Sequence, residues 1–193
     1  NLSQQNNVLW PLKPVHAISS FYSIYNNITE EFNPEDKNFI NKEFGIKTLE
    51  MMKHIASYLI SDCFNMDPIK TAEILSSTDD FYYSPYTYGF SNYSRENFRE
   101  NILTYGNVMD LSNKGPKGTH LGGTGIAISN KSYHKDLALE YSYWIAGADC
   151  QKSIFYKSGG QPGNSIAWEN QQINDECNGF FANTRLTLNQ AWI

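Results

Sequence analysis

The sequence predicts an α/β fold, in which helices flank a small mixed sheet, and three observations lead to this class. Segments with apolar residues at helical spacing alternate along the chain with shorter segments whose apolar residues recur at every second position. No internal repeat or low-complexity linker interrupts this alternation, which is typical of helices layered on a sheet. A chain of 193 residues is long enough to bury one core, so we expect residues 1–193 to form a single domain.

Three helices are predicted in the first part of the chain. The first begins at Pro14, whose missing N–H costs nothing in a first turn, reaches Ile28 and is broken by Asn33 and Pro34. A shorter third helix is predicted over residues 67–75. The second helix, which lies between them, has the clearest apolar stripe, formed by Ile46, Leu49, Met52, Ile55, Ala56 and Leu59.

The predicted sheet is built from three short segments in the middle of the chain. Residues 79–85 change to an alternating pattern that favours a strand, and residues 102–108 are expected to form another. Residues 126–128 are a short apolar run that follows a glycine-rich turn, and we expect a buried strand there.

Further helices are predicted towards the end of the chain. A helix capped by Ser132 ends at Gly147, and a second begins at Ala148 and stops at the glycines 159–160. The final helix spans residues 180–192. The first of these helices is expected to turn four side chains inward, namely Leu137, Tyr141, Trp144 and Ile145.

Composition excludes several classes of function. Fifteen Lys and Arg residues stand against 20 Asp and Glu residues, giving a net charge of −5, and no basic stripe is interleaved with aromatic residues. We therefore expect no nucleic-acid partner. No apolar run approaches the roughly 20 residues that span a bilayer. Aromatic residues make up 15% of the chain, including 13 tyrosines, and such rings suit stacking on sugars as well as core packing.

Sequence motifs for a metal, a nucleotide or covalent catalysis are missing. The three cysteines, Cys63, Cys150 and Cys177, cannot all pair, and none has the spacing of a metal site. The glycine-rich segment 122–125 lacks both the GxGxxG spacing and the lysine of a phosphate-binding loop. No GxSxG nucleophile motif occurs. We therefore expect no cofactor, no metal and no enzymatic activity.

One long segment carries a family resemblance. Residues 121–151 read LGGTGIAISNKSYHKDLALEYSYWIAGADCQ, a glycine pair, a short apolar segment, a helix led by serine and a helix end marked by tryptophan. This pattern resembles the family-1 extracellular solute-binding proteins of sugar-type ABC importers. The similarity continues through IFYKSGGQPGNSIAWEN and FFANTRLTLNQAW, and it includes VLWPLKPVHAISSFYSIYNNI near the start.

The resemblance implies a fold and a function. In that family two α/β lobes close on a solute by bending at a hinge, so the chain would be the second, C-terminal lobe of the type II periplasmic-binding-protein kind, without the first lobe. The ligand would be a carbohydrate. The partners would be the ABC permease subunits and the missing lobe, at an extracellular, cell-surface-anchored or periplasmic location. A lobe without its partner would also leave an apolar surface through which it associates with itself.

Four aromatic or histidine residues are candidates for the ligand site. Tyr86 and Tyr88 share one side of an extended segment, where one ring could stack on a sugar and the other could form a hydrogen bond with it. Trp10 and His16 flank the point where the family's chain enters its cleft, and His16 lies in the first turn of its helix. Core packing is the alternative for the three aromatic residues, and a structural role is the alternative for His16.

The other candidates lie in two turns. Gly122 and Gly123 would let a ligand approach the backbone closely, or they would merely permit a tight turn. The resemblance favours the ligand role and adds Thr124 as a hydrogen-bonding group. Gln161, in the turn GGQPG, resembles a residue at the rim of the cleft, and an amide that stabilises the turn is the alternative.

Two other functions are compatible with the pattern. A ligand-sensing module of a regulator would use the same fold, and a DNA-binding helix-turn-helix in a longer polypeptide would favour it. A glycoside hydrolase would need two carboxyl groups facing one pocket. Asp79 and Asp80 do not meet that need, because adjacent residues of a strand point to opposite faces.

Overall fold

The structure is a computed structural model that describes residues 7–29 and 40–191. Of these residues, 52% are helical and 2% are extended in a bridge, and they form no sheet. The predicted α/β class with a small mixed sheet is therefore wrong, and the described chain is a helical protein with long extended connections. The predicted helix break at Asn33 and Pro34 lies outside the described residues.

Helices occupy both halves of the described chain, separated by a middle section that is mostly extended. The α-helices are α1 (Pro14–Ile28), α2 (Lys42–Ala56), α3 (Pro68–Ser77), α4 (Lys135–Ala146), α5 (Ala148–Cys150), α6 (Ser165–Trp168), α7 (Gln171–Glu176) and α8 (Phe180–Asn189). A π-helical turn, Gln151–Phe155, continues α5, and short 3₁₀ turns occupy Ser61–Asn65 and Ser91–Ser94. The predictions for α1, α2, α3 and α8 are confirmed to within a few residues at their ends, whereas α6 and α7 were missed.

Side chains of asparagine and aspartate begin several of these helices. The carboxylate of Asp67 accepts a hydrogen bond from Lys70 N at 2.9 Å, at the start of α3. Asn41 accepts from two backbone N–H groups of the first turn of α2, and Asn164 and Asn170 each accept from one, at the starts of α6 and α7. Each cap satisfies a backbone donor that has no partner within the helix, which explains where these helices start.

The predicted strands are extended segments whose backbone groups find other partners. Residues 8 and 83 form an isolated parallel bridge, and Leu9 N donates to Tyr83 O at 2.9 Å. In the second segment, Leu103 N donates to Tyr93 O, and Val108 N donates to the Thr187 hydroxyl of α8. An alternating pattern specifies an extended backbone but not its neighbour, so these segments lie on helices and turns instead of on each other.

Helix α1 is packed through a polar face. Val15 and Ile18, on its predicted apolar stripe, are 61% and 52% exposed. The same helix buries Ser23, Asn26 and Asn27, whose side chains bond residues 111–120. Polar groups at such an interface must be hydrogen-bonded to compensate for their lost hydration.

Asparagine side chains provide those hydrogen bonds. The amide of Asn27 donates to Gly115 O and Lys117 O, and its oxygen accepts from Leu111 N at 2.7 Å. Asn26 donates to Gly118 O at 3.1 Å. Gly118 has φ +80°, and a Cβ atom there would lie 2.4 Å from that of Asn26, so only glycine fits. These contacts fix residues 110–118 along α1.

The buried core is divided into clusters. One surrounds Trp10 and Ile24, and it includes Leu12 and Tyr86. A second gathers residues of the C-terminal helices, namely Tyr156, Ala167, Ile173, Cys177, Phe180 and Phe181. A small third cluster joins Leu9, Cys63 and Met66. The first and second clusters do not merge, and the seam between them is where a cavity opens.

Helix α4 contradicts the prediction that it packs inward. None of its residues is buried, and Leu137, Tyr141 and Trp144 are 66%, 54% and 52% exposed. The strand predicted at 126–128 is likewise exposed, with Ile126 at 55%. An apolar pattern reports a tendency to be buried, but the described part of this chain provides no surface that covers these residues.

No helix among the residues described in the structure is long and apolar enough to cross a membrane.

Replacing Asn27 should test the amide contacts. We expect Asn27→Ala to lower the free energy of unfolding by about 2–4 kcal/mol, because it removes three hydrogen bonds and leaves buried backbone groups without partners. Urea unfolding followed by circular dichroism measures this change. Asn65→Ala is the matched control, since Asn65 is exposed in the 3₁₀ turn Ser61–Asn65, and it should change stability by less than about 0.5 kcal/mol. Equal losses in both variants would contradict the role of Asn27.

Candidate functional site

A cavity of about 260 Å³ opens at the seam between the two larger core clusters. Helix α1 forms one wall, and α8 forms another together with Trp168. Three extended segments, residues 86–89, 105–108 and 119–122, complete the lining. The volume lies just below the roughly 300–1,000 Å³ typical of drug-sized ligand pockets, so it suits a small molecule.

Helix α1 positions the polar end of this cavity. The carbonyl of Gly118 is held by Asn26, and two residues later His120 N donates to the Ser23 hydroxyl at 3.4 Å. The contacts that fasten residues 110–118 to α1 therefore also place the ring of His120 at the cavity. Without them the connection from 119 to 122 would have no fixed path.

The imidazole of His120 joins two hydroxyl groups. Its Nδ1 atom lies 3.2 Å from the Ser19 hydroxyl and 3.3 Å from the hydroxyl of Tyr88. The ring of Tyr88 also meets His16 edge-on, at 6.5 Å between centroids. This cluster offers neutral donors and acceptors around one aromatic face, close to solvent because His120 is exposed.

A buried tyrosine, Tyr86, and a half-buried one, Tyr105, also line the cavity. Burial raises the pKa of Tyr86 to about 12, and burial likewise raises the pKa of Tyr105 to about 12. Among the described residues the Tyr86 hydroxyl has no hydrogen-bond partner, although the residue is only 6% exposed. A buried hydroxyl without a partner costs free energy, and a ligand that reached it could recover that cost.

Five of the eight predicted site residues line this one cavity: His16, Tyr86, Tyr88, Gly122 and Gln161. They come together although the sheet that was expected to gather them does not exist. Tyr86 packs in the core, as one alternative predicted, and it also borders the cavity.

The other three predicted site residues do not line the cavity. Trp10 is fully buried, with its centroid 6.0 Å from that of Tyr86, and its indole N–H donates to the Ser20 hydroxyl. It supports the wall from behind, as the core alternative stated. Gly123 and Thr124 are exposed, and a Cβ atom at Gly123 would meet nothing within 4 Å.

Gly122 and Gln161 have specific packing roles at the cavity. A Cβ atom at Gly122 would come within 3.1 Å of the Tyr88 ring, so glycine allows the backbone to lie against that ring. The Gln161 oxygen accepts from Ser91 N at 2.7 Å, and its nitrogen donates to Gly89 O. The structure therefore assigns Gln161 the alternative role of an amide that stabilises the chain, here by holding the loop after Tyr88.

Several lining residues were missed by sequence reasoning, above all Ser19, Tyr105 and His120. Ser19 sits off the apolar stripe of its helix, and serine carries little signal on a helix. His120 directly precedes the glycine-rich segment that was singled out. The position of His120 close to that segment was the only sequence signal for it. Its partner Ser19 lies 101 positions away in the sequence, so the pairing could not be predicted without the fold.

The lining limits the chemistry that this site can perform. Of the described residues that line it, none is an Asp, Glu, Lys or Arg. No group of three or more His, Cys, Asp or Glu residues within 7–29 and 40–191 is arranged to hold a metal. The three cysteines are buried thiols, and burial raises the pKa of Cys63 and of Cys177. Neutral hydrogen bonding and aromatic stacking are what this cavity offers.

The tyrosine pKa values predict how stability depends on pH. Unfolded tyrosines ionise near pH 10, whereas Tyr86 and Tyr105 stay protonated until about pH 12. Above about pH 10 the unfolded state therefore loses protons first, and stability should fall as pH rises, by up to about 2–3 kcal/mol per tyrosine at pH 12. Urea unfolding of wild type and Tyr86→Phe between about pH 8 and 11 tests this. The variant should show the shallower fall, and parallel curves would contradict the assignment.

No family model, no curated protein and no solved structure matches this chain. The resemblance to family-1 solute-binding proteins therefore rests on the sequence segments quoted above. The function of the cavity has to be argued from its own lining residues.

Proposed function

We propose that this chain binds a neutral carbohydrate in the cavity, as the ligand-binding lobe of an extracellular solute receptor of an ABC importer. One observation carries the binding proposal: the cavity combines aromatic rings with hydroxyl and imidazole groups and has no charged carboxylate, ammonium or guanidinium group in its described lining. A sugar presents apolar C–H faces and neutral hydroxyls, which match those two kinds of surface.

The arrangement of the rings supports stacking near the mouth and hydrogen bonding inside. Tyr88 is half-buried beside the exposed His120, so one face of a sugar ring would pack on Tyr88. The Ser19–His120–Tyr88 cluster would exchange hydrogen bonds with sugar hydroxyls. The hydroxyl of Tyr86 would gain the partner that it lacks.

The same lining favours capture over hydrolysis. Glycoside cleavage generally uses two Asp or Glu residues on opposite sides of the scissile bond, and the described lining supplies neither. A zwitterionic amino acid or a polyamine would place an uncompensated charge in a largely apolar site, at a considerable cost in hydration. A neutral polyhydroxyl ligand avoids that cost.

The receptor role rests on the family resemblance of residues 121–151 and of the segments on either side. In that role the partners are the permease subunits and a first lobe that closes over the ligand. The opening of the cavity towards solvent at His120 is where an opposing wall would act. No cofactor takes part.

A ligand screen tests the binding proposal directly. We expect neutral mono- and disaccharides to raise the melting temperature of the protein, because a ligand that binds only the folded state stabilises it by mass action. Amino acids and polyamines at the same concentrations are the controls and should leave it unchanged. A response to the charged ligands alone would contradict a neutral carbohydrate.

Two tyrosine variants should separate binding from folding. Tyr86→Phe should raise the free energy of unfolding by about 1–3 kcal/mol, because it removes a buried hydroxyl that has no partner, yet weaken sugar binding roughly threefold to tenfold. Tyr88→Ala should weaken binding at least about tenfold through lost stacking. Titration calorimetry measures both, with Tyr82→Ala as control, since Tyr82 is 62% exposed and does not line the cavity. Unchanged sugar affinity in both cavity variants would show that the sugar does not bind in this cavity.

A further inference from the structure

Residues 121–146, here called the arm, have no cover within the described chain. The arm comprises an extended segment, 121–134, followed by α4, and none of its residues is buried. Helix α4 exposes large apolar side chains on two sides of its axis, with Leu137, Tyr141 and Trp144 on one side and Leu139 and Tyr143 on the other. Apolar helix faces are normally covered in a folded protein.

The extended part of the arm has an unused backbone edge. Within the described chain, no backbone hydrogen bond joins residues 121–128 to another segment. The run Gly125, Ile126, Ala127 and Ile128 has the composition of a strand, and both isoleucines are exposed. An uncharged, apolar, unpaired strand edge is a template for pairing with another chain.

The exposed apolar area is large enough for a stable interface. Nine large apolar side chains of the arm are at least 36% exposed, and together they present on the order of 1,000 Å². This area is spread over the extended segment and over two sides of α4, so it is not one patch. It is comparable to the roughly 800 Å² per partner of a standard interface, which a second chain would cover by wrapping around the arm. The nine side chains are Leu121, Ile126, Ile128, Tyr133, Leu137, Leu139, Tyr141, Tyr143 and Trp144.

We propose that the arm is a self-association surface, and that its occupant is the arm of a second copy of this chain. The pairing is antiparallel and centred on Ala127, so that Ile126 lies opposite Ile128 of the partner subunit and Ile128 opposite Ile126 of the partner subunit. A two-fold interface requires such reciprocal contacts. Opposed isoleucines also form a favourable cross-strand pair.

Charge favours a second copy as the occupant. The chain as a whole carries −5, so two copies repel each other through most of their surface. The arm carries two lysines, Lys131 and Lys135, and two carboxylates, Asp136 and Glu140, so its formal charge is zero. Its strand from 121 to 129 has no charged residue. The arm thus brings two copies together where their repulsion is least.

The arm overlaps the carbohydrate site only at its first two residues. Leu121 and Gly122 line the cavity, but Gly123 and the residues up to 146 do not. Self-association through Ala127 and α4 therefore does not rest on the proposed function, and a sugar that fails to bind would leave it unaffected.

Sedimentation equilibrium tests the proposal with matched variants. Wild type at about 100 µM should be dimeric, and Ile126→Asp should lower the association constant at least about tenfold by placing a carboxylate in the paired strand. Ile69→Asp is the control. Ile69 lies in α3, outside the arm, and its exposure of 56% matches the 55% of Ile126. A monomeric wild type, or a dimer that both variants weaken equally, would overturn the proposal.

A cysteine on the two-fold axis tests the register. Directly opposed residues of antiparallel strands have Cα atoms about 4.5–5.5 Å apart, within the range that a disulfide spans. Ala127→Cys should therefore form a covalent dimer under mild oxidation, whereas Ser158→Cys, at an exposed position outside the arm, should not. The native cysteines are buried and give a low background. Equal cross-linking at both positions would overturn the pairing centred on Ala127.

Discussion

Hydrogen bonds from asparagine side chains of α1 hold the middle of this protein in place. Residues 101–134 contain no helix, and His120 alone among them is in an isolated bridge, so most of their backbone groups need partners from elsewhere. Asn26 and Asn27 provide four hydrogen bonds to residues 111–118. The same pattern recurs at the C-terminal end, where Asn107 accepts from the backbone and the hydroxyl of Thr187. Side-chain amides here replace the cross-links that a sheet would supply.

The cavity follows from this way of building the fold. Because α1 and the C-terminal helices each have their own apolar cluster, the extended segments that run between them leave a gap instead of closing one core. Aromatic rings from both clusters face that gap, Tyr86 from one and Phe180 from the other. The polar end is formed where α1 holds His120. A neutral, aromatic and partly polar site is the direct result.

The arm and the cavity are two consequences of the same uneven distribution of apolar residues. Trp10, Ile24 and Phe181 are almost fully buried, while side chains of similar character in α4 meet only solvent. Exposed apolar area of this extent opposes solubility of a lone chain and favours its burial in an interface. The protein thus has one region shaped for a small ligand and another shaped for a macromolecular contact, joined at Gly122.

Local signals in the sequence predicted most of the helices, although not α6 and α7, and they did not predict how the helices pack. Helical spacing together with Pro14, Asp67 and Gly147 predicted where helices start and end, because capping and propensity act within one turn. The composition of the segment 86–88 and the glycine at 122 pointed correctly to the residues that would meet. The absence of a sheet, the burial of Trp10 behind Tyr86 and the pairing of Ser19 with His120 depended on contacts between distant segments. An alternating pattern specifies an extended backbone, and a helical period specifies which face of a helix is apolar. Neither pattern specifies the surface against which that segment packs, because this depends on the packing of the whole chain.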